Sequence, residues 1–272
     1  MGLLKNQLLI FWGFVCFFLL CLLVGIKTES YYLALLPLLF VAVVATLSDY
    51  KLIYFALLAV LPMSVEYYFP NGLATDLPSE PMMVGLLFFT IILFSRNVKL
   101  LPANFINHPI TILLIVHVMW YGLTMINSEN PVVSFKILLA KLWYIVPFAF
   151  LTAIVFGQKN EIKKLFWLIF IPLTIEIIIT NIRHSVLYGF SFEHINKCVT
   201  PYFRNHVNYA AMMSVFYPFI WLAATWYEKN TWQRRLLDFM KVFYVFAIYF
   251  SFTRTAMLAL LMMIPFYYIV KW

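Results

Sequence analysis

The chain has 272 residues, of which 64% are hydrophobic, 19% aromatic and only 11% charged, with a formal net charge of +8. A soluble domain is about one quarter charged and about one half apolar, so this composition cannot supply a water-facing surface and excludes a soluble domain. It predicts an integral membrane protein whose solvent is mostly lipid, and the positive charge reads as cytoplasmic anchoring and not as nucleic-acid binding.

Spanning helices need roughly 20 apolar residues, and ten segments qualify as candidates: 8–26, 31–47, 52–69, 82–95, 110–126, 142–157, 165–182, 207–227, 237–252 and 256–270. The predicted fold is all-α, a polytopic membrane protein of about ten transmembrane helices in a single domain, residues 1–272. The first segment follows Lys5, exceeds a signal-peptide core in length and has no small-residue cleavage site after it, so it reads as a retained helix. Pro62 and Glu66 predict a kink or a polar end in the third. Lys241 in the ninth is tolerable near an interface, where it can snorkel. Between the fifth and sixth, "SENPVVSFKILLAK" (128–141) reads as a short amphipathic helix on the outer face, started by Asn130-Pro131.

Placing the N-terminus in the cytoplasm puts twelve of the 19 basic residues inside and seven outside, in agreement with the positive-inside rule. Five of the seven outer cations, Lys136, Lys141, Arg183, Lys197 and Arg204, lie in segments 127–141 and 183–206. They oppose the rule that orients the chain, so they are candidates for binding.

Arg204 stands in "TPYFRNHVNYAAMM" (200–213), at the mouth of the eighth helix. Free backbone N–H groups and the positive end of the helix dipole favour an anion there, and a guanidinium can hold phosphate bidentately. The alternative is an interfacial anchor with Asn205 as the N-cap. Arg254, in "YFSFTRTAMLAL" (249–260), marks the turn between the last two helices. Two crossings separate it from Arg204, so both return to one face. His206 reads either as a general base or phosphate donor or as a hydrogen-bonded helix-end residue. His184 and His194 lie in the same outer loop, but their irregular spacing and the lack of a carboxylate cluster make a weak case for a metal. Glu176, in "IPLTIEIIIT", is the one carboxylate placed for ion coupling, and its plain alternative is a polar contact between helices. Nucleotide loops, esterase elbows and zinc-protease signatures are absent, and the three cysteines have no zinc spacing.

Two of these stretches carry a resemblance. "YFRNHVNYAAMM" and "SFTRTAMLAL" are similar to short segments of the O-antigen ligase and O-antigen polymerase family, and "SENPVVSFKILLAKLWYIVPF" is similar to that family's amphipathic segment. The resemblance implies a GT-C-like glycosyltransferase of the bacterial inner membrane. Such an enzyme moves a glycan from a polyprenyl diphosphate to a lipid A-core or glycan acceptor hydroxyl on the periplasmic face, with no cofactor and typically no metal. It assigns diphosphate holding to Arg204 and Arg254. With His206 these form the expected catalytic set. Arg183, Asn205, Asn208, Lys197 and Lys141 form the expected substrate-binding set. Family members continue past the "SFTRTAMLAL" segment to a large periplasmic loop that carries a catalytic histidine. The chain is therefore expected to be incomplete and inactive alone. The alternatives are a transporter or flippase for a lipid-linked or anionic substrate, and a non-catalytic membrane scaffold.

Overall fold

A computed structural model describes residues 13–21, 23–24, 27, 50–68, 74–96, 100–156 and 161–271. The chain divides into two compact units, residues 1–54 and 55–272. In the first unit, residues 13–21 are helical, within the first expected span. The second expected span, 31–47, lies outside the described residues.

Helix α1 (Tyr50–Val60) stops before Pro62, which cannot donate to a continuing helix. The polar end expected at Glu66 becomes a strand instead. Strand β1 (Val65–Tyr68) pairs antiparallel with β2 (Ala74–Leu77), with Val65 opposite Leu77 and Glu66 opposite Asp76. Val65, Tyr67 and Tyr68 suit a pleated surface, and this hairpin departs from the all-α expectation. Otherwise the described residues are mainly helical. Among the described residues five helices are long and apolar enough to cross a membrane: α2 (Ser79–Arg96), α3 (Pro109–Ile126), the helix Pro131–Val155, α5 (Glu161–Tyr188) and α7 (His206–Ala224).

The expected surface helix over 128–141 is corrected. Asn130 caps α4 (Pro131–Ile145) by accepting the Val133 N–H, and Pro131 opens its first turn. The helix then runs without a break through a π-helical turn, Val146–Leu151, to Val155. At 1.5 Å per residue its 25 residues exceed a hydrocarbon core of about 30 Å. The amphipathic residues are therefore the first turns of a spanning helix, and not a separate element. The start signal was right and the end was misplaced.

The core of the second unit lies where α5, α7, α8 (Trp232–Tyr249) and α9 (Arg254–Lys271) meet. Leu173 and Ile177 of α5, Met213 and Ala223 of α7, and Leu237, Tyr244 and Ile248 of α8 are all fully buried. Lipid gives no hydrophobic drive between helices, so close packing and interhelical hydrogen bonds hold them. Both are present. Ala210 and Ala223 on α7 and Ala247 on α8 permit close approach. Thr174 and Tyr244 share a hydroxyl hydrogen bond of 3.1 Å, and Asn181 Nδ2 donates to Tyr209 Oη at 3.0 Å. Glu176 is also fully buried, yet neither carboxylate oxygen has a hydrogen-bond partner among the described residues.

The two ends of this core differ. At one end Arg234 donates to the Ala224 carbonyl, which closes the C-terminus of α7, and ion-pairs with Asp238. Lys163 lies over the Tyr227 ring, and Trp167 Nε1 donates to Tyr227 Oη at 2.8 Å. The opposite end carries Arg183, Arg204 and Arg254.

Candidate functional site

At the arginine-bearing end, α5 stops at Tyr188, where Gly189 takes a φ of 53° that a side-chain-bearing residue rarely adopts. The chain then crosses through the short helix α6 (Ile195–Val199) to α7. Arg183 fixes this crossing. Its Nη1 donates to the Thr200 carbonyl at 2.6 Å and its Nη2 to the Lys197 carbonyl at 3.1 Å. These are among the carbonyls left open past the end of α6. Arg183, expected to bind substrate, is thus engaged in holding the loop that carries Arg204.

Asn205 is the N-cap of α7, its Oδ1 accepting the Asn208 N–H at 2.9 Å. The Asn196 Oδ1 accepts the His206 backbone N–H, and it also meets His206 Nδ1, both at 2.9 Å. The same oxygen cannot donate, so Nδ1 carries the proton. In the neutral ring Nε2 then keeps a lone pair for chemistry. The two readings of His206 are therefore compatible, since one ring nitrogen anchors the helix start and the other is open to a reacting hydroxyl.

The "SFTRT" turn packs against this helix start. Thr253 Oγ1 donates to the His206 carbonyl at 3.4 Å, and Ser251 Oγ donates to the Ile248 carbonyl at 2.6 Å. Phe252 adopts a left-handed φ of 56° at this turn, and Phe192 packs on its ring at 5.5 Å. A bulky residue in that conformation is strained, and strain of this kind gathers at functional sites. Arg204 is two residues before His206 and Arg254 follows Thr253, so the two arginines stand at the same end of the core. Arg254 opens α9 with its side chain exposed, and no ion pair engages it among the described residues.

Arg204 has a partner that is distant in sequence. Its Nη2 meets Glu66 Oε1 at 2.5 Å, with the guanidinium side chain 69% exposed and the carboxylate side chain 23%. The hydrogen bond from Arg204 holds the Glu66 carboxyl below the usual carboxylate range, helped by Tyr68. Asp76, opposite Glu66 on the hairpin, shifts the other way, pushed up by burial and by the charges of Glu80 and Glu66. Around this pair lies a cavity of about 570 Å³. Its walls include Glu66, Tyr68 and Asp76 from the hairpin, Ser79 and Met83 from α2, Tyr144 from α4, and Arg204 and Asn208 from the α7 entrance.

Of the expected site residues, Arg204 and Asn208 line this cavity. His206, two residues after Arg204, and Arg254, on the turn that contacts His206, are not in its wall. Lys197 is exposed on α6. Lys141 lies on α4 with its ammonium over the Tyr121 ring, 5.3 Å from the centroid. The sequence reading missed Glu66, Tyr68, Asp76 and Tyr144 as site residues. One signal was available: Asn71-Gly72, a strong hairpin dipeptide, follows "VEYY". No group of three or more metal-ligating side chains occurs among the described residues. No protein-family model matches the chain, and neither a curated protein nor a solved structure matches it.

Proposed function

We propose that the chain is a lipid-linked glycan transferase of the O-antigen ligase or polymerase kind, set in a bacterial inner membrane with about ten spans and a cytoplasmic N-terminus. One observation carries the reading. The two stretches that bear the resemblance, "YFRNH" and "SFTRT", touch through Thr253 and His206 although 47 residues separate the partners. Two arginines and two helix N-termini thereby converge at one end of a lipid-facing bundle, an arrangement suited to a diphosphate.

In the proposed reaction an acceptor hydroxyl oxygen attacks the anomeric carbon of a polyprenyl-diphosphate-linked glycan. The bond from that carbon to the diphosphate oxygen breaks, and the electron pair leaves with the diphosphate. Arg204 and Arg254 stabilise the charge that develops there. The hydroxyl proton needs a base: His206 Nε2, with its free lone pair, is one, and the histidine that the resemblance assigns to a loop after "SFTRTAMLAL" is the other. Arg183, Asn205 and Asn196 act as positioning residues, because they bind the loop and the helix start and not the reacting atoms.

Native mass spectrometry of the protein in nanodiscs with undecaprenyl diphosphate tests the reading. Bound lipid is expected in the wild type and is expected to be lost in both Arg204→Ala and Arg254→Ala. Equal occupancy in all three proteins overturns it. So does cysteine labelling that places positions 204 and 254 on opposite sides of the bilayer.

A second reading, transport of a lipid-linked or anionic substrate, draws on Glu176, a carboxylate enclosed in the helix core without a hydrogen-bond partner among the described residues. Interior ionisable groups mark ion pathways. Proton-coupled flux in proteoliposomes that disappears in Glu176→Gln supports transport, and flux unchanged by the substitution removes it.

A further inference from the structure

Glu66 occupies the place where an anionic ligand of Arg204 would sit. The guanidinium is largely exposed, and an exposed ion pair of this kind contributes little and exchanges readily. The hairpin makes that exchange consequential. Its register sets Asp76 directly across from Glu66, and Thr75 Oγ1 ties Glu80 Oε2 beside them at 2.7 Å. Like charges facing each other across two strands are unfavourable. Arg204 is the only cation among the described residues lining the cavity, so it alone offsets them there.

We propose that the cavity takes a phosphate or diphosphate group by counter-ion exchange: the anion displaces Glu66 from Arg204, and the Glu66–Asp76 pair then takes up a proton. This rests on the reading of Arg204 as a diphosphate ligand and adds a gate to it. The balance is simple. One ion pair breaks, one forms, and a proton passes from solvent to a carboxylate. The groups facing the Glu66–Asp76 pair are Tyr68 on β1 and Arg204 before α7 at Glu66, and Glu80 on α2 and Tyr144 on α4 at Asp76. Tyrosine hydroxyls and arginine keep their protons through the acid and neutral range, so among the protein's groups the carboxylates respond, while the phosphate ligand, with a pKa of about 6, titrates beside them. Arg204 holds Glu66 low and Asp76 is already raised, so loss of Arg204 from the pair favours protonation. The carboxylates' share of the proton balance therefore favours binding as the pH falls from neutral, against the loss of charge on the phosphate itself, and the difference between wild type and Glu66→Gln isolates that share.

The test is calorimetry on the full chain in phosphatidylcholine nanodiscs, with sodium pyrophosphate in one arm and farnesyl diphosphate in the other. Each titration is run in two buffers of different ionisation enthalpy to count protons. Wild type is expected to bind with proton uptake. Glu66→Gln is expected to bind several-fold more tightly near neutral pH with less uptake, since an amide competes for the guanidinium less well than a carboxylate. Glu66→Ala is expected to follow it, which guards against a folding defect of one variant. Equal affinity for the two ligands identifies the bare anion as sufficient, and tighter binding of farnesyl diphosphate identifies a lipid-borne group; either is compatible with exchange. Binding that Glu66→Gln and Glu66→Ala leave unchanged or weakened overturns the exchange while Arg204 keeps its ligand role. No binding of either probe to wild type or variants overturns both readings at once.

Discussion

The apolar 18-residue windows of helices α3 and α5 have nearly equal mean hydropathy, 1.8 and 2.1, yet 6% of the first window and 50% of the second is buried inside the protein. Apolarity therefore does not decide which helix packs. In water the two would compete equally for a core, but in lipid a Leu gains little by leaving the acyl chains. What separates them is the side chains that make specific contacts. Helix α5 presents Thr174 and Asn181 to tyrosines on neighbouring helices, and its Phe170 stacks on Phe166, Phe216 and Tyr244. Helix α3 buries only Thr111. The packed region is also the one that ends in the arginine-bearing loops, so rigidity and candidate chemistry coincide.

The sharpest way to break this contrast is one substitution in each helix. Phe170→Ala is expected to destabilise by about 4 kcal/mol, because it removes an enclosed ring with four ring neighbours, Phe166, Trp167, Phe216 and Tyr244. Leu113→Ala on α3 is expected to change stability by less than about 0.5 kcal/mol. Denaturation in mixed micelles, followed by tryptophan fluorescence, measures both. Similar losses at the two sites would mean that α3 has a protein partner and does not simply face lipid.

The next effect tests whether the packed region positions the loop. Arg183→Ala is expected to cost about 2 kcal/mol through two charge-assisted bonds to the Lys197 and Thr200 carbonyls. Faster proteolysis within residues 189–205 is expected alongside it. Arg183→Lys is expected to recover little, because one ammonium does not reproduce the guanidinium fork. A smaller change follows from Asn205→Ala, about 1 kcal/mol from the lost cap of α7. It should leave α3 untouched, and hydrogen exchange at the first turn of α7 reads it.

These residues show what the sequence could reveal. Asn205 announced itself as a cap by its position before an apolar run, and the parity of helix crossings put Arg204 and Arg254 at one end. Both rest on local pattern. The start of α4 was legible in Asn130-Pro131, but its continuation was not. The amphipathic stretch 128–141 and the apolar stretch after it differ in composition while their backbone is continuous through the π-helical turn. For Glu66 the sequence predicts a kink or a polar end of a helix, and neither contains a strand. Its pairing with Arg204 spans 138 residues, and no periodicity in the chain records such a contact. The hairpin that aims Glu66 is four residues per strand, too short for alternation to stand out in so apolar a sequence.

The smallest expected effect concerns that hairpin, and it has two parts of opposite sign. Glu66 is held below the ordinary carboxylate range, so its contribution to stability is present above the unfolded-state value and disappears as the pH falls through the lower folded value. Asp76 is raised, so its ionised form is a penalty at neutral pH, relieved as the pH falls through its higher folded value. On acidification the two act in opposite directions, Asp76 raising stability and Glu66 lowering it. Stability of the hairpin should therefore carry a rising and a falling contribution as the pH drops, with a small amplitude because Arg204 is so exposed. Removing Arg204 frees Glu66 to hold its proton more tightly, so Arg204→Ala should erase the falling limb while the rise remains. Melting temperature against pH in nanodiscs, for wild type and Arg204→Ala, reads both limbs. A monotonic loss from neutral downward in the wild type would mean that Asp76 is paired by a cation, and the hairpin would then be a salt-bridged anchor instead of a strained carboxylate pair set against one arginine.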